Sequence, residues 1–323
     1  MNILAVFLPH RGCPFQCIYC DQHAIGEPAP SPDELTVRLD AFCTTSSSRP
    51  RQVAFYGGTF TALPRDEQSR WLDLIAPWLP QLDGIRLSTR PDCIEPVHLD
   101  WLKRRGVRTI ELGVQSFADA ELSATSRGYT ATVAQQACRE ALRNGFELGV
   151  QLMPGLPESS ASGWRHTIDA TLRLRPSFVR LYPLVTLRGT ALETMWRQGR
   201  YTPLTLDEAT RQCVQAVQAF EAEGIAVAKI GLHGDLAPDA VLAGPWHPAF
   251  GEHVRRQLLL LRLPGSLGSG DSLTFSSRDV SLLRGEGGWL LREIYERAGV
   301  KIPIMFDSEI KSGTMLSVKS TPS

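Results

Sequence analysis

The sequence predicts an α/β chain: a partial or full (β/α) barrel over residues 1–230, then a small C-terminal α/β appendix over residues 231–323. Three observations predict it. Short apolar runs alternate with amphipathic helical patterns through short connections, the rhythm of right-handed βαβ crossovers in a parallel sheet. The runs read as continuous apolar stretches, as strands covered on both faces do. Six or seven such units fit a barrel better than an open doubly wound sheet, and in either arrangement ligands sit at the C-terminal strand ends.

The strands are expected at residues 2–8, 52–56, 84–88, 108–114, 147–153, 178–182 and 226–230. Helical patterns lie between them at 34–42, 65–79, 97–105, 132–144, 162–174 and 206–223. Pro64 opens the second of these, while Gly106, Gly145 and Gly224 follow helix ends. The rhythm breaks near Gly231, where residues 231–251 are rich in Gly, Pro and His. Beyond, strand-like runs at 256–263, 279–283 and 302–306 and a helix at 289–298 make up the appendix, and residues 311–323 read as a frayed polar tail.

Hydrophobic residues form 43% of the chain and charged ones 21%, enough apolar material for a core and too much for disorder. Lys+Arg and Asp+Glu both total 34, so the formal net charge is zero, which argues against a strongly cationic nucleic-acid binder. The longest apolar stretch of the C-terminal third, Leu258 to Leu261, is far too short to span a bilayer. The run 3–9 has neither a basic residue ahead of it nor a small-residue cleavage site behind, so it reads as a strand and not a signal peptide. A cytoplasmic location without membrane attachment is expected.

Of seven cysteines, Cys43, Cys93, Cys138 and Cys213 are scattered and read as small buried hydrophobes. The other three follow the first strand closely, in Cys13-Pro14-Phe15-Gln16-Cys17-Ile18-Tyr19-Cys20. Three thiolates on one short loop can hold three irons of a [4Fe–4S] cluster and leave the fourth iron to an exogenous ligand. A zinc site completed by His10 or His23, or a redox dithiol, are the other readings.

The loop resembles that of the radical S-adenosylmethionine (SAM) enzymes, and further motifs follow in the same order. Tyr56-Gly57-Gly58-Thr59 resembles their glycine-rich segment, which implies a backbone contact to the amino group of SAM; a glycine lets the main chain approach a ligand without a Cβ in the way. Gln115 matches a SAM-contacting residue of the oxygen-independent coproporphyrinogen dehydrogenases, and Arg127 their carboxylate-binding arginine; as a loop residue Arg127 also reads as a solvated charge. Gln151 stands where those enzymes carry an aspartate for the ribose of SAM, and Ser88 where they carry a glutamate. Tyr19 is expected to pack near the adenine.

Segments 55–60, 88–92, 152–157 and 180–184 narrow the resemblance to the radical-SAM domain of the elongator catalytic subunit. That likeness implies a [4Fe–4S] cluster, SAM, an external one-electron reductant and a tRNA substrate, RNA binding being weak given the neutral charge. No acetyltransferase domain and no basic N-terminal extension are legible, which points away from tRNA carboxymethylation by this chain alone. A radical SAM enzyme acting on a small metabolite, and a non-catalytic metal-binding protein, are the alternatives. His233 and the run 244–253 read either as substrate-facing histidines or as a solvated loop. Residues 265–270 lack the Lys-Ser/Thr of a phosphate loop and read as a turn. Lys103, Arg104, Arg105, Arg108, Arg255 and Arg256 read as ordinary helix-end and edge charges.

Overall fold

The computed structural model describes residues 2–45, 50–232, 236–237 and 239–318. In chain order its strands are β1 (Asn2–Phe7), β2 (Arg51–Tyr56), β3 (Ile85–Thr89), β4 (Val107–Gln115), β5 (Glu147–Leu152), β6 (Phe178–Leu181), β7 (Thr186–Leu187), β8 (Ala226–Ile230), β9 (Val241–Ala243), β10 (Ser272–Ser276), β11 (Ile304–Asp307) and β12 (Met315–Val318). Seven of them form one parallel sheet in the order β1-β2-β3-β4-β5-β6-β8, curled into a half-barrel. β1 and β8 do not pair, so the barrel is partial and has an open seam.

Helices Pro32–Thr44, Arg65–Ile75, Pro96–Arg104, Ala131–Arg143, Ala161–Leu174 and Leu206–Ala222 alternate with these strands. Two begin with capping boxes, Ser31 with Glu34 and Thr205 with Glu208, each satisfying two backbone donors that the first turn leaves open. Val53, Phe55, Ile85, Leu87, Ile110, Leu112, Leu148, Val150, Val179 and Leu181 join the apolar core beneath them. The opposite side of the same strands is polar. Gln52, Arg86, Thr109, Glu111, Gln151 and Arg180 alternate with the core residues and fill the inside of the half-barrel. The expectation of strands apolar on both faces is thus corrected: one face packs on helices and the other lines a cavity, so period-two alternation applies.

The appendix departs further from expectation. Residues 256–263 are not a strand but the end of the helix Phe250–Arg262. Its Phe250, Val254 and Leu258 pack into the barrel core, while Leu259, Leu260 and Leu263 pack into a second core. Its four consecutive leucines, Leu258 to Leu261, contribute to both cores, and a short unbroken apolar run looks like a buried strand. Residues 279–283 are not a strand either: they run from a turn at Ser277–Asp279 into the helix Val280–Arg284. The strand is β10, which carries β11 in parallel and β12 antiparallel. β12 lies in the stretch expected to fray; of that stretch, residues 319–323 are outside the described region. The helix Trp289–Ala298 forms as expected.

Candidate functional site

A cavity of about 520 Å³ opens inside the half-barrel. Cys13, Cys17, Cys20, Tyr19, Gly57, Gly58, Thr59, Ser88, Gln115, Arg127 and Gln151 all line it. They come from the ends of β2 to β5 and from the loops after β1 and β4, so the fold brings together every site residue expected from sequence.

The cysteine loop owes its shape to the exit of β2. The His10 amide donates to the Gly57 carbonyl at 2.8 Å, and the Thr59 amide donates to the Arg11 carbonyl at 2.8 Å. A Cβ on Gly12, whose φ is +72°, would stand 2.3 Å from the Thr59 carbonyl oxygen. A Cβ on Gly58 would stand 2.4 Å from the Arg11 oxygen and 2.7 Å from the Leu8 oxygen. Both are backbone atoms that cannot swing aside. The absent side chain of Gly58 therefore makes room for the cysteine loop, a different reason from the ligand clearance expected from sequence.

The Cys13 Sγ lies 3.3 Å from the Thr59 Oγ1. The Cys17 Sγ faces two guanidiniums, with the Arg127 Nη1 at 2.9 Å and the Arg90 Nη1 at 3.8 Å. The Cys20 Sγ accepts from the Gln22 Nε2 at 3.3 Å; burial pushes its thiol up to about 12, and this hydrogen bond opposes the rise. Among the described residues no three His, Cys, Asp or Glu side chains converge on a point that could hold a single metal ion. The His10 Nε2, which the zinc reading would use, accepts the Gln22 amide at 2.8 Å. Three thiols on one cavity wall, two of them beside hydrogen-bond donors, fit a multi-iron cluster, which takes its thiolates on separate irons and so from a wider triangle than one ion does.

Arg127 is 5% exposed and fully engaged, which corrects the solvated-charge reading. Its Nη2 donates to the Gly113 carbonyl at 2.5 Å and to the Tyr129 hydroxyl at 2.8 Å, and its Nη1 reaches the Tyr19 hydroxyl at 3.4 Å. The loop before it is held by Ser126 at φ +55°. Gln115 adopts φ +67°, a conformation rare outside glycine, and its carbonyl accepts the Met153 amide at 2.9 Å. The Gln151 Nε2 donates to the Gln115 Oε1 at 3.0 Å, so the two amides form one unit.

Sequence reasoning missed the charged inner wall. Ser88 has no carboxylate of its own, but its register partner on β4 is Glu111, which lines the cavity. The Glu111 Oε1 takes the Arg86 Nη1 at 2.7 Å and the Arg180 Nη2 at 3.1 Å, and the Tyr56 hydroxyl donates to it at 3.1 Å. Arg180 also donates to the Tyr182 hydroxyl at 3.1 Å and the Tyr56 hydroxyl at 2.8 Å. Arg90 binds Asp92 through two nitrogens at 3.0 and 2.9 Å. The usable signal was a polar residue alternating with apolar ones, as in Arg86 and Ser88 of β3 and Thr109 and Glu111 of β4.

Other marked residues lie elsewhere. His247 turns its Nδ1 to the Ala249 amide at 3.0 Å, and neither it nor His253 lines the cavity; His233 is outside the described residues. In the run 265–270 the Gly268 amide donates to the Asp271 carboxylate at 2.9 Å, so that turn is capped by its own acid. The Lys103 Nζ donates to the Asn144 carbonyl at 2.8 Å, and Arg105 pairs with Asp73. Among the described residues no helix is long and apolar enough to cross a membrane.

The Radical SAM superfamily model matches residues 7–170, about half of the chain, and the Radical_SAM C-terminal domain model matches residues 176–259. An uncharacterized protein of Methanocaldococcus jannaschii is 28% identical over 63% of this chain and 62% of its own length. Elongator complex protein 3 of Mus musculus is 29% identical over 45% of this chain but only 30% of its own length. The chain thus spans under two thirds of the curated relatives it matches. Among solved structures, archaeal Methanocaldococcus infernus Elp3 superposes with a TM-score of 0.64 at 19% identity, covering 83% of this chain and 66% of that one. Coproporphyrinogen III oxidase of Escherichia coli, a radical SAM enzyme, gives 0.51 at 19% identity, covering 69% and 53%. The family model spans half of the chain and both superpositions share the half-barrel, so the chain belongs to the radical SAM superfamily, enzymes that bind a [4Fe–4S] cluster and SAM.

Proposed function

We propose that Cys13, Cys17 and Cys20 hold the cluster, and that the chain cleaves SAM reductively to act on a nucleoside of tRNA. The observation that carries this reading is the gathering of the three cysteines, the Gly57-Gly58-Thr59 turn, Gln115, Arg127 and Gln151 around one cavity. Cys13, Cys17 and Cys20 would hold the cluster, which would supply one-electron reduction of SAM from an external reductant, and SAM would supply the capacity for hydrogen abstraction from the substrate. The chain's own residues bind, orient and shield. Gly57 and Thr59 offer backbone groups to the amino end of SAM, and Arg127, fixed by Tyr129 and Gly113, offers positive charge to its carboxylate. Ser88, Gln115 and Gln151 face the ribose, and Tyr19 closes the adenine side. The apolar Leu184, Val185 and Leu187 exclude water from the far wall.

The RNA part of the reading rests on the elongator-like relatives, one of which is named tRNA uridine(34) acetyltransferase. Binding is expected to be weak and lost as salt rises, since the net charge is zero. A second reading, a small-metabolite substrate, draws on the cavity itself, whose volume of about 520 Å³ is that of a small-molecule site. An anaerobic SAM-cleavage assay of the reconstituted protein with and without bulk tRNA tests both. Deoxyadenosine formation stimulated by tRNA supports the first, and failure of any RNA to bind at low salt overturns it for this chain.

A further inference from the structure

The inner wall of the half-barrel sets two guanidiniums on one carboxylate, and the edge strand adds a further cation. Glu111 is one carboxylate serving two guanidiniums, Arg86 and Arg180. On the next strand, β8, Lys229 is the register partner of Arg180. The ladder shifts register between Val179 and Arg180 and then pairs Arg180 with Lys229, so the two backbones lie about 4.8 Å apart and Lys229 stands beside Arg180 at the edge of the sheet, outside the lining of the cavity. Lys229 is half-buried and has no hydrogen bond or ion pair among the described residues. Its neighbours in charge are Arg180 and, from the helix Phe250–Arg262, Arg255; burial first, then these two arginines, hold its amine below the usual lysine range. Like charges placed opposite one another in a sheet are unfavourable, and so is a half-buried cation whose described neighbours in charge are both cations.

We propose that Arg180 and Lys229 form an anion site at the seam, and that its ligand is the phosphate of the substrate nucleotide. This rests on the RNA reading above and adds to it the place where the nucleotide is anchored. The two cations divide the work. Arg180 is immobilised by Tyr56, Tyr182 and Glu111, its fork already engaged, so it supplies fixed charge and no free bidentate face for a carboxylate. Lys229 supplies free N–H donors on a flexible stem, a point charge that suits the several oxygens of a phosphate. A lysine can also sit on an edge strand merely to deter pairing with another chain, and the test must separate the two roles.

Isothermal titration of the reconstituted protein with uridine 5′-monophosphate, uridine, inorganic phosphate and succinate provides that test, using wild type, Lys229→Met and Lys229→Arg. The monophosphate should bind wild type about tenfold tighter than uridine, the advantage expected of one charge-assisted contact. Lys229→Met should erase that advantage and Lys229→Arg restore part of it. Lys229→Met should also melt no lower than wild type, because a like-charge repulsion is removed. For tRNA, the variant should lower the log–log salt slope by about 0.7, one phosphate's worth. Equal affinity for monophosphate and uridine overturns the proposal, as does succinate binding as well as the monophosphate. An unchanged monophosphate preference in Lys229→Met, with new self-association, assigns the lysine to edge protection and overturns it too. If tRNA fails to stimulate SAM cleavage while the monophosphate preference still depends on Lys229, the anion site stands and the RNA reading falls; stimulation without that dependence has the opposite meaning.

Discussion

The half-barrel and the appendix are built on different plans. The appendix closes on Leu273, Phe275, Leu283, Leu290 and Ile294, a small apolar core tied to the barrel by one two-sided helix. The half-barrel keeps its apolar material outside, under the helices, and turns a charged face inwards: Arg86, Glu111 and Arg180. Backbone conformations that side chains avoid divide the same way. His10, Gln115, Ser126, Glu158 and Arg175 have positive φ, and among the described residues the appendix has no such non-glycine position. Residues in sparsely populated backbone regions persist only where the surroundings over-determine them. The difference teaches that the helical layer and the outer core stabilise the barrel, leaving its inner wall free to be shaped for chemistry.

The largest effect that would sharpen this comparison is on the cluster. Replacing Cys13, Cys17 or Cys20 with Ala should reduce iron from about four per chain to a trace, measured after anaerobic reconstitution. Replacing the core residues Cys138 or Cys213 should leave it intact. Iron lost from a folded Cys213→Ala protein would overturn the ligand assignment. Next comes Gly58→Val. Because the added side chain meets the Leu8 and Arg11 carbonyls, both iron content and SAM binding should be lost together. A variant that keeps its full iron–sulfur spectrum and loses only SAM would restore the ligand-clearance explanation.

A third experiment compares the two regions directly. Glu111→Ala leaves the buried Arg86 and the half-buried Arg180 without their shared carboxylate and should cost about 3–5 kcal/mol in denaturant unfolding. Leu290→Ala in the appendix should cost about 2–5 kcal/mol through a cavity. Only the first should disturb ligand binding in the barrel; equal losses of binding would deny the division of labour. The smallest effect is on pH dependence. Gln68 donates its amide nitrogen to the Thr61 and Leu63 carbonyls, so its Oε1 must accept, and the His98 Nε2 carries the proton between them at 2.7 Å. Burial, then the Arg65 charge, lowers the ring of His98 from 6.5 to about 4. The unfolded chain therefore takes up the proton first as pH falls. The stability this histidine contributes is complete above pH 6.5 and is lost on descending toward pH 4, and His98→Gln should flatten the fall in melting temperature over that window.

How far the sequence could be read follows the same division. Every strand of the half-barrel sheet was legible, because each is a short apolar run closed by a helix start, and the cysteine and glycine motifs mark the strand ends directly. What stayed hidden was the partner of each motif. Nothing in the string says that Gly58 faces the Leu8 carbonyl, or that Glu111 stands between Arg86 and Arg180, since those contacts join strands far apart in sequence. In the appendix the helix Phe250–Arg262 escaped because the unbroken run Leu258 to Leu261, which feeds two cores, looks like a short buried strand when read apart from the polar residues before it.

The unpaired edges of β1 and β8 bear on the size of what the molecule can accept. A closed barrel has a mouth only, so a ligand must enter end-on and its whole length is limited by the space inside. A sheet whose edge strands do not pair is not held to that limit, because no ladder of hydrogen bonds closes its flank. One unit of a long molecule can be laid in sideways while the rest passes outside on either hand. For such a fold, the cavity volume limits the unit presented and not the chain that carries it, and an internal position is as reachable as an end.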